Sequence, residues 1–237
     1  MAGHGKSRHL KRMASPTVLP LPRKTSKWFK KTGPGAHALL QSIPLMALLR
    51  DVMHLGKTRW EVKKIISAGD IIVDGVKVYD ERHAVGLMDV VSIPKMKKNF
   101  RVLLNKGKIA LSEISGDEVG EKPCKITGKT VIRGSKVQLN MHDGRNYLIE
   151  KEEDQFKVGD TARLALPSQK LAGFLKLEKG AHCYIYQGKH CGKTGVLKEV
   201  SVFAYGTPGN AVLEDDTGNK LITLKDYLFV VDKGFKI

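Results

Sequence analysis

The first fifty residues contain no Asp and no Glu; the first acid is Asp51. The same stretch holds ten Lys and Arg, so it carries ten of the chain's seventeen net positive charges, and the other 187 residues carry only +7. A segment with no counter-charge of its own repels itself and calls for a dense polyanion. Nucleic acid fits best, because each phosphate contact releases condensed counterions. An anionic membrane surface would need an amphipathic basic helix, and prolines at 16, 20, 22 and 34 argue against one. Cysteine is scarce and odd in number, at 124, 183 and 191. That excludes a disulfide framework and points to a reducing cytosol. No apolar run approaches the roughly 20 residues of a bilayer span, and no apolar stretch follows the basic N-terminus as in a secretory signal.

Catalytic signatures are missing too. Three Gly-Lys-Thr triplets occur, at 56–58, 128–130 and 192–194, but the phosphate-binding loop needs a Gly five residues earlier. Asp51, Pro123 and Gln187 stand there instead. There is no Cys-x-x-Cys; one His and one Cys from each of His182-Cys183 and His190-Cys191 would have to converge to hold zinc. No Ser/His/Asp or paired-carboxylate arrangement stands out. We therefore expect no catalytic residue, no metal, no cofactor, no small-molecule substrate and no membrane partner.

What is present divides the 237 residues into two or three small domains. Residues 1–42 show neither helical nor strand period and read as an extended basic tail, disordered when free. Trp28 and Phe29 inside it suit stacking or docking better than solubility. From Pro44, Leu45, Leu48, Leu49, Val52 and Met53 fall on one helical face, with Gly56 as a left-handed cap. Thr58 precedes Glu61 by three, a capping-box pattern. Val62, Ile65 and Ile66 give that second helix its apolar face, and Gly69 ends it. Asp74-Gly75 between Ile71–Val73 and Val76–Val78 signals a hairpin, and Val90–Ile93 is a strand closed by Pro94. Beyond a basic linker at Lys95, Lys97 and Lys98, short strands recur between turn residues, as in small barrels or sandwiches. A boundary near 171–174 divides them into two β units.

The candidate interface follows the charge. In the tail it comprises Lys6, Arg8, Lys11, Arg12, Arg23, Lys24, Lys27, Lys30 and Lys31. Arg50, Lys57, Arg59, Lys63 and Lys64 continue it along the helices, and Lys77 on the hairpin. Arg59 and Lys63, four apart, destabilise an isolated helix unless an external anion neutralises them; a solvated face partly balanced by Glu61 is the alternative reading. The stretch Lys179–Leu197 resembles the KOW motif, a strand, a glycine-rich basic loop and a strand. Gly188 and Gly192 let the loop approach a partner closely, while Lys189, His190 and Lys193 supply charge.

The order of these parts resembles the family of small-subunit ribosomal protein four of the archaeal and eukaryotic "e" type. The resemblance rests on several stretches: His9–Pro16, Thr32–His37, Pro44–Asp51, Glu61–Ile66, Ile72–Lys77, Gly86–Ile93, His142-Asp143 and the glycine-rich loop. It implies an α+β, mainly β fold with a basic extended tail (1–42), an RNA-binding αL domain (43–94), a central β domain (95–173) and an SH3-like KOW barrel (174–237). It also implies a non-enzymatic, cytoplasmic place on the small ribosomal subunit, with ribosomal RNA and neighbouring ribosomal proteins as partners. The chain ends at Ile237 without the longer basic tail of eukaryotic members, which favours the archaeal type. A KOW-bearing transcription or RNA-processing factor that binds a protein partner is the other reading.

Overall fold

The computed structural model describes residues 9–134, 136–201, 209–215 and 217–235, leaving aside the side chains of Asp117 and Glu153. The fold is α+β and mainly β, built on three antiparallel five-stranded sheets and two short two-stranded pairs. No helix among the described residues is long and apolar enough to cross a membrane.

Residues 9–42 are not an open tail. Leu10–Lys11 pairs antiparallel with Trp28–Phe29, and Leu19 from the turn between them and Phe29 from the second strand are buried in the first core. The apolar residues that do this (Leu10, Val18, Leu19, Leu21, Phe29) are irregularly spaced, so no period betrays them. The segment after Pro44 is one α-turn, Leu45–Ala47, widening into a π-turn, Leu48–Val52. It is buried all round from Leu45 to Leu49, Met46 and Ala47 included, instead of along one face. His54, at φ 55°, takes the left-handed turn expected at Gly56. Gly56 is needed for space, since a Cβ there would lie 2.9 Å from Val62.

The helix Arg59–Ser67 forms as expected. The Glu61 N–H donates to Thr58 Oγ1 (3.3 Å), and Glu61 Oε2 accepts from the Thr58 N–H (3.4 Å) and the Lys57 N–H (2.8 Å). Gly69 closes it at φ 74°. In the hairpin, Asp74 (φ 51°) and Gly75 (φ 79°) both adopt left-handed geometry, the type I′ requirement. The first sheet runs Val76–Lys77, Ile72–Val73, Val90–Ile93, Lys98–Asn105, Lys108–Glu113. It crosses the boundary expected at 94/95: Pro94–Met96 is only a tight turn, closed by Lys97 at φ 52°.

The central sheet runs Asn146–Glu150, Lys136–Met141, Glu121–Ile132, Thr161–Ala165, Lys170–Leu175. Glu121–Ile132 is one long strand with a register shift between Ile126 and Gly128. Lys170–Leu175 pairs with Thr161–Ala165, so the central sheet runs through residues 171–174, where the boundary was expected. The C-terminal sheet runs Lys220–Leu224, Asn210–Glu214, Thr194–Ser201, His182–Ile185, Leu228–Val230; after the turn Lys225–Tyr227 the last strand returns to the first.

The units are fused. Tyr184, Cys191, Phe229 and Val231, all from the C-terminal part, belong to the core of the first sheet. Tyr184 is fully buried: its hydroxyl donates to the Leu104 carbonyl (2.5 Å) and accepts from the Leu104 N–H (2.9 Å).

Candidate nucleic-acid interface

The basic residues do not share one fate. Arg12 is 6% exposed; its Nε donates to the Pro22 carbonyl (2.6 Å), its Nη1 to the Ser26 hydroxyl (3.2 Å), and its guanidinium packs over the Phe29 ring. Arg12 therefore holds the arm together and is withdrawn from the expected interface. Charge counted from sequence cannot separate a cation that serves the fold from one that serves a ligand. Arg23 turns inward as well, onto the carbonyls of Met13 (3.3 Å) and Pro16 (3.2 Å). Lys6 and Arg8 lie outside the described residues.

Lys30, Lys31, Arg50 and Arg59 converge. With Arg82 and Trp28 they line a cleft of about 420 Å³ between the arm and the two helices. Glu81 organises it. Its carboxylate accepts from Arg59 Nη2 (2.7 Å) and Nε (3.2 Å) and from Lys30 Nζ. The hydrogen bond from Arg59, assisted by Lys30, outweighs burial and holds the Glu81 carboxyl down at about 2. Arg50 makes a paired contact with Asp51, both distances 2.9 Å, and that bond raises its pKa. Five cations against these two acids leave a net +3 around the cleft. Arg82 carries no sequence signal; its neighbours are Glu81 and His83.

Lys11, Lys24, Lys27, Lys57, Lys63, Lys64 and Lys77 are exposed. None of the seven forms an ion pair among the described residues. Two of them flank exposed aromatic rings. Lys27 lies 5.4 Å from the ring of Trp28, which is 51% exposed, and Lys63 lies 5.7 Å from that of Trp60, which is 72% exposed. Large rings left in water beside cations suit stacking on bases. The exposure of Trp60 was not foreseen, although its place in the cationic first turn was visible.

The glycine-rich loop departs from expectation. Gly192 has φ 94°, and a Cβ there would sit 3.0 Å from Asn105 Cα and 3.2 Å from the Leu104 carbonyl oxygen. The Lys106 N–H donates to the Cys191 carbonyl (3.2 Å). Gly188, at φ 89°, lies against the Tyr227 ring. The close partner of this loop is thus the turn at residues 104–107 of its own chain. Lys189 and Lys193 stay exposed, Lys193 3.9 Å from Asp215, and His190 is half-buried.

A buried charge cluster was also not anticipated. Lys122, fully buried, donates to Asp74 Oδ2 (2.7 Å) and Asp89 Oδ1 (2.5 Å), and lies 3.2 Å from Asp143 Oδ2. Arg145 bridges Asp74 (2.8 Å) and Asp143 (3.4 Å), and His37 Nε2 meets Asp89 Oδ1 at 2.8 Å. The backbone N–H groups of Val90 and Gly86 donate to Asp74 and Asp89. Burial pulls the Lys122 pKa down, but the carboxylates of Asp89 and Asp74 outweigh it and the net shift is upward. Burial opposes ionisation of Asp89 as well, and Lys122 and His37 outweigh it, leaving that carboxyl lowered. The cluster ties the arm, the hairpin and the central sheet together. Its one sequence signal is phase: Lys122 shares the inward alternation of Cys124 and Ile126.

Cys124, His142 and Asp143 bring three metal-capable atoms within 4.8 Å of one another. They do not suit a cation. Lys122 and Arg145 already neutralise Asp143. His142 Nδ1 accepts from the Lys125 N–H (3.2 Å), and burial pushes the Cys124 thiol well up. The zinc alternative fares no better, since Cys183 lies in the C-terminal core and Cys191 in the first.

Two family models match: the "RS4NT (NUC023) domain" over residues 4–40 and the "Ribosomal family S4e" over residues 96–171. The small ribosomal subunit protein eS4 of Methanothermobacter thermautotrophicus is 40% identical, over 98% of this chain and 96% of its own. That of Methanocaldococcus jannaschii is 42% identical with the same coverage. In structure, the chain resembles the crystal structure of the 30S ribosomal protein S4e from Thermoplasma acidophilum. The TM-score is 0.70 at 28% identity, covering 82% of this chain and 96% of that one. With its near-full-length relatives and its mainly β architecture, this chain belongs to the S4e family of ribosomal proteins.

Proposed function

We propose that the protein binds small-subunit ribosomal RNA through the basic cleft and the exposed cations around it. Membership of the S4e family makes it a structural, non-enzymatic ribosomal protein, and its relatives place that role in the small subunit of the cytoplasmic ribosome. The observation that carries the finer reading is the convergence of Lys30, Lys31, Arg50, Arg59 and Arg82 with Trp28 on one 420 Å³ cleft. Phosphates satisfy the cations and positions are fixed by backbone contacts, while the exposed rings of Trp28 and Trp60 accept bases by stacking. Binding stabilises the folded RNA during assembly and translation. Neighbouring ribosomal proteins are partners on the same reading. We read the C-terminal sheet as the SH3-like KOW unit, its loop clasping the first unit and offering Lys189 and Lys193 outward.

Salt dependence tests the cleft. In the variant Lys31→Gln/Arg59→Gln/Arg82→Gln, the slope of log K against log salt for small-subunit RNA should become shallower by about 2, at ~0.7–0.9 per lost phosphate contact. Weaker binding with an unchanged slope would show that these residues do not meet phosphates.

A further inference from the structure

A second cleft, of about 540 Å³, opens where the arm, the first sheet, the central sheet and the C-terminal sheet meet. Its volume falls within the roughly 300–1,000 Å³ range of small-ligand sites. No Asp or Glu lines it, whereas Lys125 does. That lysine is 6% exposed and has no carboxylate within ion-pair distance among the described residues; its Nζ donates to the Asp226 carbonyl at 2.6 Å. Burial lowers its pKa to about 8, outweighing the favourable charge of Asp226. Its Nζ lies 5.2 Å from the centre of the Tyr186 ring, which also lines the cleft, as does Phe229. Leu40, 70% exposed, and the amides of Gln41 and Gln187 stand around it.

We propose that this cleft accepts one extruded nucleotide of the RNA, its base against Tyr186 and its phosphate on Lys125. The proposal rests on the RNA-binding reading above. It commits to a nucleotide because the lining offers an aromatic ring with a desolvated cation 5.2 Å from its centre, and no acid in the lining to repel a phosphate. Extruded single-stranded bases are the usual targets of sequence-selective RNA recognition. The same arm that lines the basic cleft through residues 28–31 lines this one through Thr17, Val18, His37, Leu40 and Gln41, so one RNA strand can reach both.

The test titrates the full chain with AMP, adenosine and inorganic phosphate while the aromatic NMR signals of Tyr186 and Phe229 are followed. AMP should shift both saturably, with adenosine and phosphate each binding about tenfold more weakly or worse. Lys125→Met should weaken AMP roughly tenfold, the worth of a lost charge-assisted bond. Because that variant also loses the tie to Asp226, Gln187→Glu at the exposed rim provides a second reading: it places an acid beside the phosphate and should weaken AMP by a similar factor. Absence of a saturable AMP shift overturns the proposal, as does equal binding of phosphate or adenosine, or an AMP affinity untouched by Gln187→Glu. Small-subunit RNA titrated into the parent separates the two ideas. RNA binding without an AMP response defeats the nucleotide site alone, and no RNA binding defeats the RNA reading itself.

Discussion

Replacing Lys122 by Met removes one ammonium from the centre of three carboxylates while keeping the volume of the side chain nearly constant. Asp74 and Asp143 keep Arg145, at 2.8 and 3.4 Å, but among the described residues Asp89 keeps only His37 and the Gly86 N–H. Breaking a buried ion pair from one side costs about 3–5 kcal/mol. For a domain of this size that is a fall in Tm of about 6–20 °C. The pH dependence carries a sign. In the parent, Asp89 and Asp143 are held below their unfolded values. Their contribution is therefore present above the unfolded carboxylate pKa, near 4, and is lost as pH falls through the lower folded values. In Lys122→Met, burial acts on Asp89 with less opposition and raises its folded pKa. Protonation then relieves the defect, so the Tm gap between variant and parent should narrow as pH falls from about 7.5 to 5. Calorimetry at both values measures it, and Asp89→Asn added to Lys122→Met should recover part of the loss. A variant that melts within about 2 °C of the parent, or a gap that widens on acidification, would refute the role given to this cluster.

Gly192→Val should lower stability by about 1–3 kcal/mol, because a β-branched residue is forced to φ 94° against Asn105, whereas Lys189→Ala should leave the melting curve unmoved. Tyr184→Phe removes the hydroxyl that serves the buried Leu104 N–H and C=O, leaving the carbonyl the weaker bond from Cys191 Sγ (3.5 Å), and should cost about 1–3 kcal/mol in a denaturant titration. Arg12→Ala should make the arm markedly more sensitive to trypsin at Lys24 and Lys27 than in the parent; equal cleavage rates would show that Arg12 does not hold it.

Local chemistry was legible where its cause lies within a few residues. The capping box at Thr58 and Glu61, the stop at Gly69 and the Asp74-Gly75 turn all formed as read. The segment at Leu45–Val52 was misread because a piece buried on every side has no face to reveal. The arm was misread because its order comes from pairing Leu10 with Phe29 and from a guanidinium bonded to a carbonyl ten residues on, neither of which leaves a period. The cleft was half legible. Lys30, Lys31, Arg50 and Arg59 stood out as uncompensated charge, but Lys30 and Arg59 meet on Glu81, 51 residues beyond Lys30. The partners Asp74 and Asp89 of Lys122 lie 48 and 33 residues away, so only its phase with Cys124 and Ile126 distinguishes it from a surface lysine.

The shared core has a consequence for how the chain is made. Residues of the first sheet are complete in sequence by about Glu113, yet their core is closed by Tyr184, Phe229 and Val231. At ~5–20 residues per second, the nascent first unit waits on the order of 6–23 s for its last wall. During that interval Leu103, Leu104 and their neighbours face water or a chaperone. The C-terminal strand Leu228–Val230 thus acts as a completion signal: translation that stops short of it leaves both ends of the molecule unfinished.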